Sequence, residues 1–274
     1  MRQHTIVIEP TKTIQHVWRE LWAYRELFFF LAWRDILVQY KQTVIGVAWS
    51  VLRPLLTMMV FTVVFGKIAK LPSGDIPYPL LVYAAMIPWH FFSNTLSESA
   101  NSLITNTNLI SKVYFPRLII PTTAMMVSLV DFLISCGMFA LLLLWYGIAP
   151  NGKIFFLPGL LLIAILTSLG IGYLIAALNV KYRDFRYVIP FLVQFGLYIS
   201  PVGFSSDVVP MRWRLLYSIN PMTGVIDGFR WALLGTHAQM YWPGFCLSIG
   251  LAVGVFAVGV FYFMNTERLL ADVI

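Results

Sequence analysis

The sequence predicts an all-α integral membrane protein, and three observations support that fold class. Of the 274 residues, 59% are apolar and only 11% are charged, whereas a soluble domain carries about 25% charged residues. Apolar stretches long enough to cross a bilayer core of about 30 Å recur along the chain. The connections between these stretches are alternately rich and poor in Lys and Arg, as expected when they lie on opposite sides of a membrane. We therefore predict a multi-span protein.

Six apolar stretches are candidate transmembrane helices, near residues 45–65, 78–99, 119–146, 154–180, 188–204 and 245–264. Cytoplasmic connections of membrane proteins are enriched in Lys and Arg. Placing both termini in the cytoplasm gives the cytoplasmic side about twice as many of these residues as the opposite side. We predict that residues 44–274 form a six-span transmembrane domain with both termini cytoplasmic. In the last span, Gly250 and Gly254 form a G-x-x-x-G pattern, which permits close approach of another helix.

Residues 1–43 are predicted to form an N-terminal tail followed by an amphipathic helix on the membrane surface. Apolar residues such as Trp18, Trp22 and Trp33 recur at three- and four-residue spacing over 13–43, and charged residues fill the opposite face. Tryptophans and basic residues together suit the headgroup layer of a membrane. The alternative is a helix packed against a soluble domain, for which this chain offers no segment.

The segment 205–243, between the fifth and sixth predicted spans, is predicted to form two short re-entrant helices on the external side. Asn220-Pro221 divides it into two apolar stretches, each too short to cross the bilayer as a helix. Helices that dip in and return keep their backbone hydrogen bonds internal. The alternative is a pair of amphipathic helices lying on the outer surface.

Motifs for nucleotide, metal or catalytic chemistry are incomplete in this sequence. Residues 147–153, GIAPNGK, match the start of a phosphate-binding loop, but Ile154 stands where that loop needs Ser or Thr. The four histidines have no metal-ligand spacing. The aromatic residues lie mostly in apolar runs and not between basic clusters, which disfavours a nucleic-acid partner. We expect no catalytic residue, metal or cofactor in this chain.

Two charges of opposite sign, Arg53 and Asp131, are predicted near membrane depth on different spans. Charges inside a membrane usually serve a function, so an ion pair between them is one interpretation. The other is that Arg53 reaches the cytoplasmic surface while Asp131 faces a wet interior.

Three segments carry more specific information. They are WRDILVQYKQTVIGVAWSVLRPL (33–55), IPWHFFSNTLSESANSLITNTNLISKVYFPRLIIP (87–121), and NVKYRDFRYVIP (179–190) with the later SPVGF and NPMTGVIDGFRWALLG. In this order and spacing they resemble the membrane subunit of polysaccharide-exporting ATP-binding-cassette transporters. That type-2 exporter family moves lipid-linked O-antigen, capsule or teichoic acid across the bacterial cytoplasmic membrane. The ending ERLLADVI (267–274) is most similar to the O-antigen branch.

The resemblance implies a permease without its own ATPase, located in the bacterial inner membrane. It implies a homodimer that works with two copies of a separate subunit, in which ATP and Mg²⁺ are bound. Energy would then enter through cytoplasmic loops, of which 97–117 mixes apolar and polar residues as a docking helix requires. The candidate coupling residues are Leu109, Ile110, Lys112, Tyr114, Phe115 and Arg117 in this loop, and Tyr182, Arg183 and Asp184 in the next. The alternative for each is an ordinary polar or basic loop.

The implied substrate is a polysaccharide linked to a polyprenyl diphosphate in the membrane. Aromatic rings stack on the apolar faces of sugars without requiring one register, which suits a sliding polymer. Candidate path residues are Tyr78, Tyr83, Trp89, Tyr173, Tyr198 and Phe204, with an interfacial aromatic belt as the alternative. Candidate contacts of the pyrophosphate are Arg34, Lys41 and Arg53. Contacts of these three cations with membrane lipid headgroups are the alternative.

Other functions remain open at the level of sequence. Within the same family, a teichoic acid or capsule exporter is an alternative to an O-antigen exporter. An ion-coupled secondary transporter could use Asp131, although the spans show no internal repeat. A membrane transferase acting on lipid-linked sugar would need a catalytic constellation, which the sequence does not supply.

Overall fold

The computed structural model describes residues 14–41, 44–74, 76–149, 152–182, 184–235 and 240–273, without the side chains of 14–18, 44–47 and 268–273. Throughout these ranges the regular structure is helical, which confirms the predicted all-α class. The helices are α1 Ile14–Ala23, α2 Arg25–Lys41, α3 Val44–Phe61, α4 Tyr78–Thr105, α5 Thr107–Ile110, α6 Ile119–Trp145, α7 Leu157–Lys181, α8 Phe185–Ile199, α9 Met211–Tyr217, α10 Pro221–Leu234 and α11 Trp242–Val273.

Four helical segments among the described residues are long and apolar enough to cross a membrane. They are Ala48–Ile68, Ile119–Trp145, Gly152–Lys181 and Trp242–Glu267. The first joins α3 to a π-helical turn at Thr62–Ile68, and the third joins a 3₁₀ turn at Gly152–Phe156 to α7. The second predicted span lies in α4, which is long enough but more polar. The fifth lies in α8, whose 15 residues make a helix of about 22 Å.

Helix α4 is the centre of the bundle, packing against α6, α7 and α10. It continues through Thr105, so the predicted loop beginning at residue 97 is helical over its first part. Its polar residues are compatible with the helix because their side chains bond backbone carbonyls one turn earlier. The Ser97 hydroxyl donates to the Ser93 carbonyl at 2.8 Å, and the Asn101 amide donates to the Ser97 carbonyl at 2.9 Å.

The predicted interfacial helix is divided into α1 and α2 at Tyr24. Backbone hydrogen bonds of 3.0 Å from Tyr24 to Glu20 and from Phe28 to Tyr24 run across this junction. Helix α2 contacts α3 and α6, and buries Leu31 while leaving large rings exposed at Phe29, Phe30 and Trp33. One face of α2 therefore belongs to the bundle.

Between α8 and α11 the chain forms two short helices, α9 and α10, divided at Asn220 as the sequence predicts. The Asn220 side chain accepts a hydrogen bond from the Met222 amide at 3.0 Å, and Pro221 occupies the first turn of α10. Both features favour a helix start. Gly235, with φ of 71°, follows the last residue of α10, and a positive φ is most easily adopted by glycine.

Helices α7 and α11 pack closely against each other, and their contact uses glycines other than Gly250 and Gly254. A Cβ on Gly170 would lie 2.7 Å from the backbone nitrogen and Cα of Phe256, and one on Gly259 would strike the Gly170 carbonyl. Among the described residues, and apart from the backbone of α11 itself, no atom lies within 4 Å of a Cβ on Gly250 or Gly254. The G-x-x-x-G pattern permits a close helix contact, but the described residues of this chain form none there, because that face of α11 points away from α7.

Gly170→Ala should lower the melting temperature of the purified protein, because backbone atoms of α11 cannot rotate away from the added methyl group. Overpacking of this kind costs about 1–3 kcal/mol. The matched control is Gly250→Ala, whose methyl group meets open space and which should melt like the native chain. Thermal unfolding followed by size-exclusion chromatography in detergent measures both. Equal melting temperatures for the two variants would contradict the packing described here.

Candidate functional site

A polar stripe runs along one face of α4. His90, Asn94, Glu98 and Ser102 follow one another at four-residue intervals, and that spacing places them on one side of a helix. The stripe faces two neighbouring cavities, enclosed by α2 and α3 on one side and by α4 and α6 on the other. Polar groups at this depth of a membrane protein usually serve a ligand or a partner.

The larger of the two, which we call the central cavity, has a volume of about 340 Å³. It contains one guanidinium, two carboxylates, an imidazole, two amides, hydroxyls and an indole. Its lining residues are Gln39, Trp49, Ser50, Arg53, Pro54, His90, Asn94, Glu98, Val127, Ser128, Asp131 and Ser135. The cavity is open on one side, where Trp49, Arg53 and Glu98 are exposed.

Arg53 and Asp131, the two charges predicted near membrane depth, both line the central cavity. Asp131 accepts a hydrogen bond of 2.6 Å from the Tyr40 hydroxyl, which joins α2 to α6. Within the described residues the structure shows no ion pair between Arg53 and Asp131. Two interpretations follow from the sequence, an ion pair or an Asp131 that faces a wet interior. The position of Asp131 in a polar cavity agrees with the second.

The smaller cavity, which we call the Arg34 cavity, has a volume of about 240 Å³ and shares Gln39, Glu98 and Val127 with the central cavity. Arg34 donates to one Asp35 carboxylate oxygen from Nε at 2.9 Å and from Nη2 at 2.7 Å. Its Nη2 also donates to the Asn106 side chain at 3.1 Å. Lys41 is exposed at the end of α2. Arg34 and Arg53 thus line adjoining cavities.

The six candidate path aromatics occupy different environments. Tyr83, Trp89 and Tyr173 are buried inside the protomer, and the Tyr173 hydroxyl lies 2.8 Å from that of Thr122. Tyr198 is exposed on α8. Tyr78 and Phe204 are half-buried. A path role for the three buried rings would require them to become exposed, whereas the other three already have accessible surface.

The first predicted coupling segment lies at one end of the bundle and divides into two faces. Ile110 and Phe115 are buried and pack in a cluster with residues of α4, α6, α7 and α11, and the half-buried Leu109 packs against it. Lys112 and Tyr114 are exposed, as is their neighbour Val113. Arg117 is held to α11, where its guanidinium donates to the Glu267 carbonyl at 2.9 Å.

The second predicted coupling segment lies at the same end of the bundle as the first. The buried Asn179 side chain, near the end of α7, donates to the Ala100 carbonyl of α4 at 3.1 Å. This bond brings the ends of α4 and α7 together, and the two connections that follow them emerge at the same end of the bundle. Tyr182 and Asp184 are exposed there; Arg183 lies outside the described residues.

At the opposite end of the bundle, Arg230 of α10 is buried with only 3% of its surface exposed. Its guanidinium donates to three backbone carbonyls, those of Leu81 at 3.1 Å, Val202 at 3.0 Å and Phe204 at 2.8 Å. Asp227, one turn earlier on α10, lies 4.0 Å from the same guanidinium. Arg230 therefore fixes α10 and the segment after α8 to α4.

Sequence reasoning missed the α4 stripe and the Arg230 contacts for different reasons. His90, Asn94 and Glu98 carry a signal in their four-residue spacing, which a search for polar stripes inside apolar segments would have found. The Arg230 contacts join residues 26 to 149 positions apart and reach backbone carbonyls, so the sequence contains no corresponding pattern. Within the described part of the chain, no three His, Cys, Asp or Glu side chains come together in a way that could hold a metal ion.

Long apolar helices around polar cavities are typical of a membrane transport protein, and comparison with known families agrees. The profile of the family described as ABC-2 type transporter matches residues 26–234. This range is more than half of the chain, and the chain belongs to that family. The resemblance to type-2 exporters, stated from the three sequence segments, is confirmed.

Similar individual proteins include two O-antigen export permeases and a polysialic acid transport protein. The O-antigen export system permease protein RfbA of Klebsiella pneumoniae is 28% identical over 238 residues, covering 83% of this chain and 90% of that protein. RfbA of Myxococcus xanthus is 26% identical over 215 residues, covering 77% and 82%. The polysialic acid transport protein KpsM of Escherichia coli is 24% identical over 231 residues, covering 82% and 84%.

Proposed function

We propose that this chain is the permease subunit of an ATP-driven exporter that moves a lipid-linked polysaccharide of the O-antigen type across the bacterial cytoplasmic membrane. The observation that carries the proposal is the similarity to O-antigen export permeases over at least 82% of their length. Capsule export is the second candidate, because the match to a polysialic acid transport protein covers a similar share of the chain.

The proposed assembly is a homodimer with two copies of an ATP-binding-cassette ATPase subunit. The incomplete phosphate loop at residues 147–153 supports a separate ATPase. The exposed residues of the coupling segment, Val113 and Tyr114, offer apolar surface at a bundle end for a helix-in-groove contact. Tyr182 and Asp184 extend the same surface. The buried Ile110 and Phe115 fix the segment to the bundle through their packing, and Arg117 binds it to α11.

The proposed topology has six spans and cytoplasmic termini. Helices α4 and α8 supply the two spans beyond the four apolar ones; α8 is short, but Ser200 and the following residues extend it toward the Arg230 end. Helices α1 and α2 lie at the cytoplasmic membrane surface, where the exposed rings of α2 contact lipid. Helices α9 and α10, of 7 and 14 residues, are the external re-entrant pair, since each is too short to cross a bilayer.

For the lipid carrier, we propose that Arg34 and Lys41 contact the pyrophosphate at the cytoplasmic surface. Arg34 can exchange its Asp35 contact for phosphate oxygens, two of which its Nε and Nη2 donors can bind in parallel. Arg53, the third candidate, shares its cavity with Glu98 and Asp131. Arg34 also shares its cavity with two carboxylates, Asp35 and Glu98, but Lys41 lies two turns further along α2 and adds a second cation. Arg53 is the one cation among the lining residues of its cavity, so it is better suited to hydroxyl partners.

Copurification tests the proposed function. Coexpressed with a candidate ATPase, the chain should purify as a complex whose ATP hydrolysis rises when lipid-linked glycan is added. The isolated chain, the matched control, should show no saturable Mg²⁺-dependent ATP binding. ATP binding by the isolated chain would contradict the proposal that a separate subunit binds ATP. Transport driven by a proton gradient without any ATPase would favour a secondary transporter instead.

A further inference from the structure

The central cavity is built to exchange hydrogen bonds with a ligand that both donates and accepts them. Arg53 only donates, the carboxylates of Glu98 and Asp131 only accept when ionised, and Asn94 does both. The Nε2 atom of His90 is buried and has no hydrogen-bond partner among the described residues. Burying such an atom without a partner costs free energy, which a ligand would recover.

The charge of the cavity selects against an anion. Arg53 supplies one positive charge, while Glu98 and Asp131 supply two negative ones. A phosphate or another acidic ligand would therefore meet net repulsion. Neutral hydroxyl groups meet no such penalty and can serve the guanidinium and the carboxylates at once.

Trp49 adds an aromatic surface to these polar groups. Its side chain is 55% exposed and lines the open side of the central cavity. A flat indole beside carboxylates and an amide suits a ring with one apolar face and a polar edge. A pyranose has that character, because its C–H groups form apolar faces and its hydroxyls project from the edge.

The size of the two cavities fits a chain of such rings. The central cavity, at about 340 Å³, lies within the usual range of small-molecule sites, about 300–1,000 Å³. The Arg34 cavity adds about 240 Å³ beside it, and Gln39 and Glu98 line both. A ligand longer than one ring can extend from one cavity into the other.

We propose that the central cavity is a binding site for neutral sugar units of the glycan, with Trp49 as the stacking surface and Glu98, Asn94, Arg53 and His90 as hydroxyl contacts. The proposal rests on the proposed function and names the residues of this protomer that hold sugar. It places the sugar next to Arg34, so the first sugars of the glycan would occupy the central cavity while the pyrophosphate contacts Arg34.

The test is saturation-transfer NMR on the full chain in lipid nanodiscs, with the methyl glycosides of glucose, galactose, mannose and N-acetylglucosamine as probes. At least one glycoside should receive magnetisation from the protein. Glu98→Gln and Trp49→Leu should each weaken its binding about tenfold or more. The first removes a charged hydrogen-bond acceptor, and the second removes the stacking surface. The controls are Glu26→Gln and Trp22→Leu, exposed positions outside both cavities, which should bind as the native chain does.

Each outcome decides the proposal. A signal that Glu98→Gln and Trp49→Leu remove, and that both controls keep, supports it. No signal for any glycoside, or equal signals in all four variants, overturns it. Copurification with the ATPase and ATP-driven export are both measured on the same Glu98→Gln variant. These measurements distinguish failure of the sugar-site proposal from failure of the proposed function. Native export by that variant, without glycoside binding, would remove the sugar site and leave the exporter intact.

Discussion

Arg230→Met is expected to prevent stable folding. Methionine fills a similar volume but cannot donate to the carbonyls of Leu81, Val202 and Phe204, which Arg230 bonds at 2.8–3.1 Å. The Val202 and Phe204 carbonyls lie outside the helices and would lose this partner, at a cost of about 1–3 kcal/mol for each one buried, while the Leu81 carbonyl keeps its bond within α4. Asp227 would lose its counter-charge. The sum approaches the whole stability of a typical domain, about 5–15 kcal/mol.

Size-exclusion chromatography in detergent, before and after heating, measures this effect. Arg230→Met should lose the monodisperse peak, and Arg230→Lys should fall between it and the native chain because an ammonium cannot reach all three carbonyls. Arg212→Met is the matched control, since Arg212 is exposed on α9. If Arg230→Met melts like Arg212→Met, Arg230 does not hold α10 to α4.

Replacing both Val113 and Tyr114 with Asp is expected to abolish export while leaving the chain folded in the membrane. These side chains are 50% and 54% exposed, so charge there meets water in the isolated chain. Against an apolar groove of the ATPase, the same charge would have to be buried, at a cost of several kcal/mol. Every 1.4 kcal/mol corresponds to a tenfold loss of affinity.

The measurements are copurification with the ATPase and glycan at the cell surface, both normalised to the amount of inserted chain. Val208→Asp, an exposed apolar position at the Arg230 end, is the control and should export normally. Phe115→Asp separates folding from docking, because Phe115 is only 4% exposed and its substitution should reduce the amount of folded protein. Normal copurification and export by the double variant would rule out docking at this segment.

The sequence predicts the helices better than their contacts, and the reason is physical. Hydropathy and the Asn220-Pro221 break are local properties, so the all-α class and the two short helices α9 and α10 followed from them. Helix α4 shows a limit of prediction from local sequence. Its Ser and Asn residues predict a loop after residue 97, but their side-chain bonds to backbone carbonyls are compatible with a helix through Thr105.

Close helix contacts depend on which faces meet, which the sequence does not specify. Gly170 and Gly259 occur in no recognisable motif, yet their backbones touch, whereas the G-x-x-x-G of Gly250 and Gly254 faces open space. The coupling segment shows the same limit. Phe115 and Tyr114 are neighbours of similar character, and only packing against α4 and α7 determines that the first is buried and the second exposed.

Candidate site residues were predicted where chemistry alone suggested them. Arg34, Arg53 and Asp131 were selected for their charges, and the structure places all three on adjoining cavities. Trp49, Asn94 and Glu98 also line the central cavity. The spacing of Asn94 and Glu98 indicates a polar face on α4, but the sequence does not show that residues of α2, α3 and α6 meet that face. The site is therefore a property of the fold.

ATP-dependent glycan translocation into inverted membrane vesicles tests the central claim most directly. These vesicles expose the cytoplasmic face, so an exporter moves lipid-linked glycan into the lumen and away from a lectin added outside. With the chain and its ATPase present, ATP should reduce lectin binding, and a non-hydrolysable ATP analogue should not. Vesicles carrying the Val113→Asp and Tyr114→Asp double variant should retain full lectin binding. Loss of lectin binding without ATP, or with the ATPase absent, would contradict the account of this chain as an ATP-driven polysaccharide exporter.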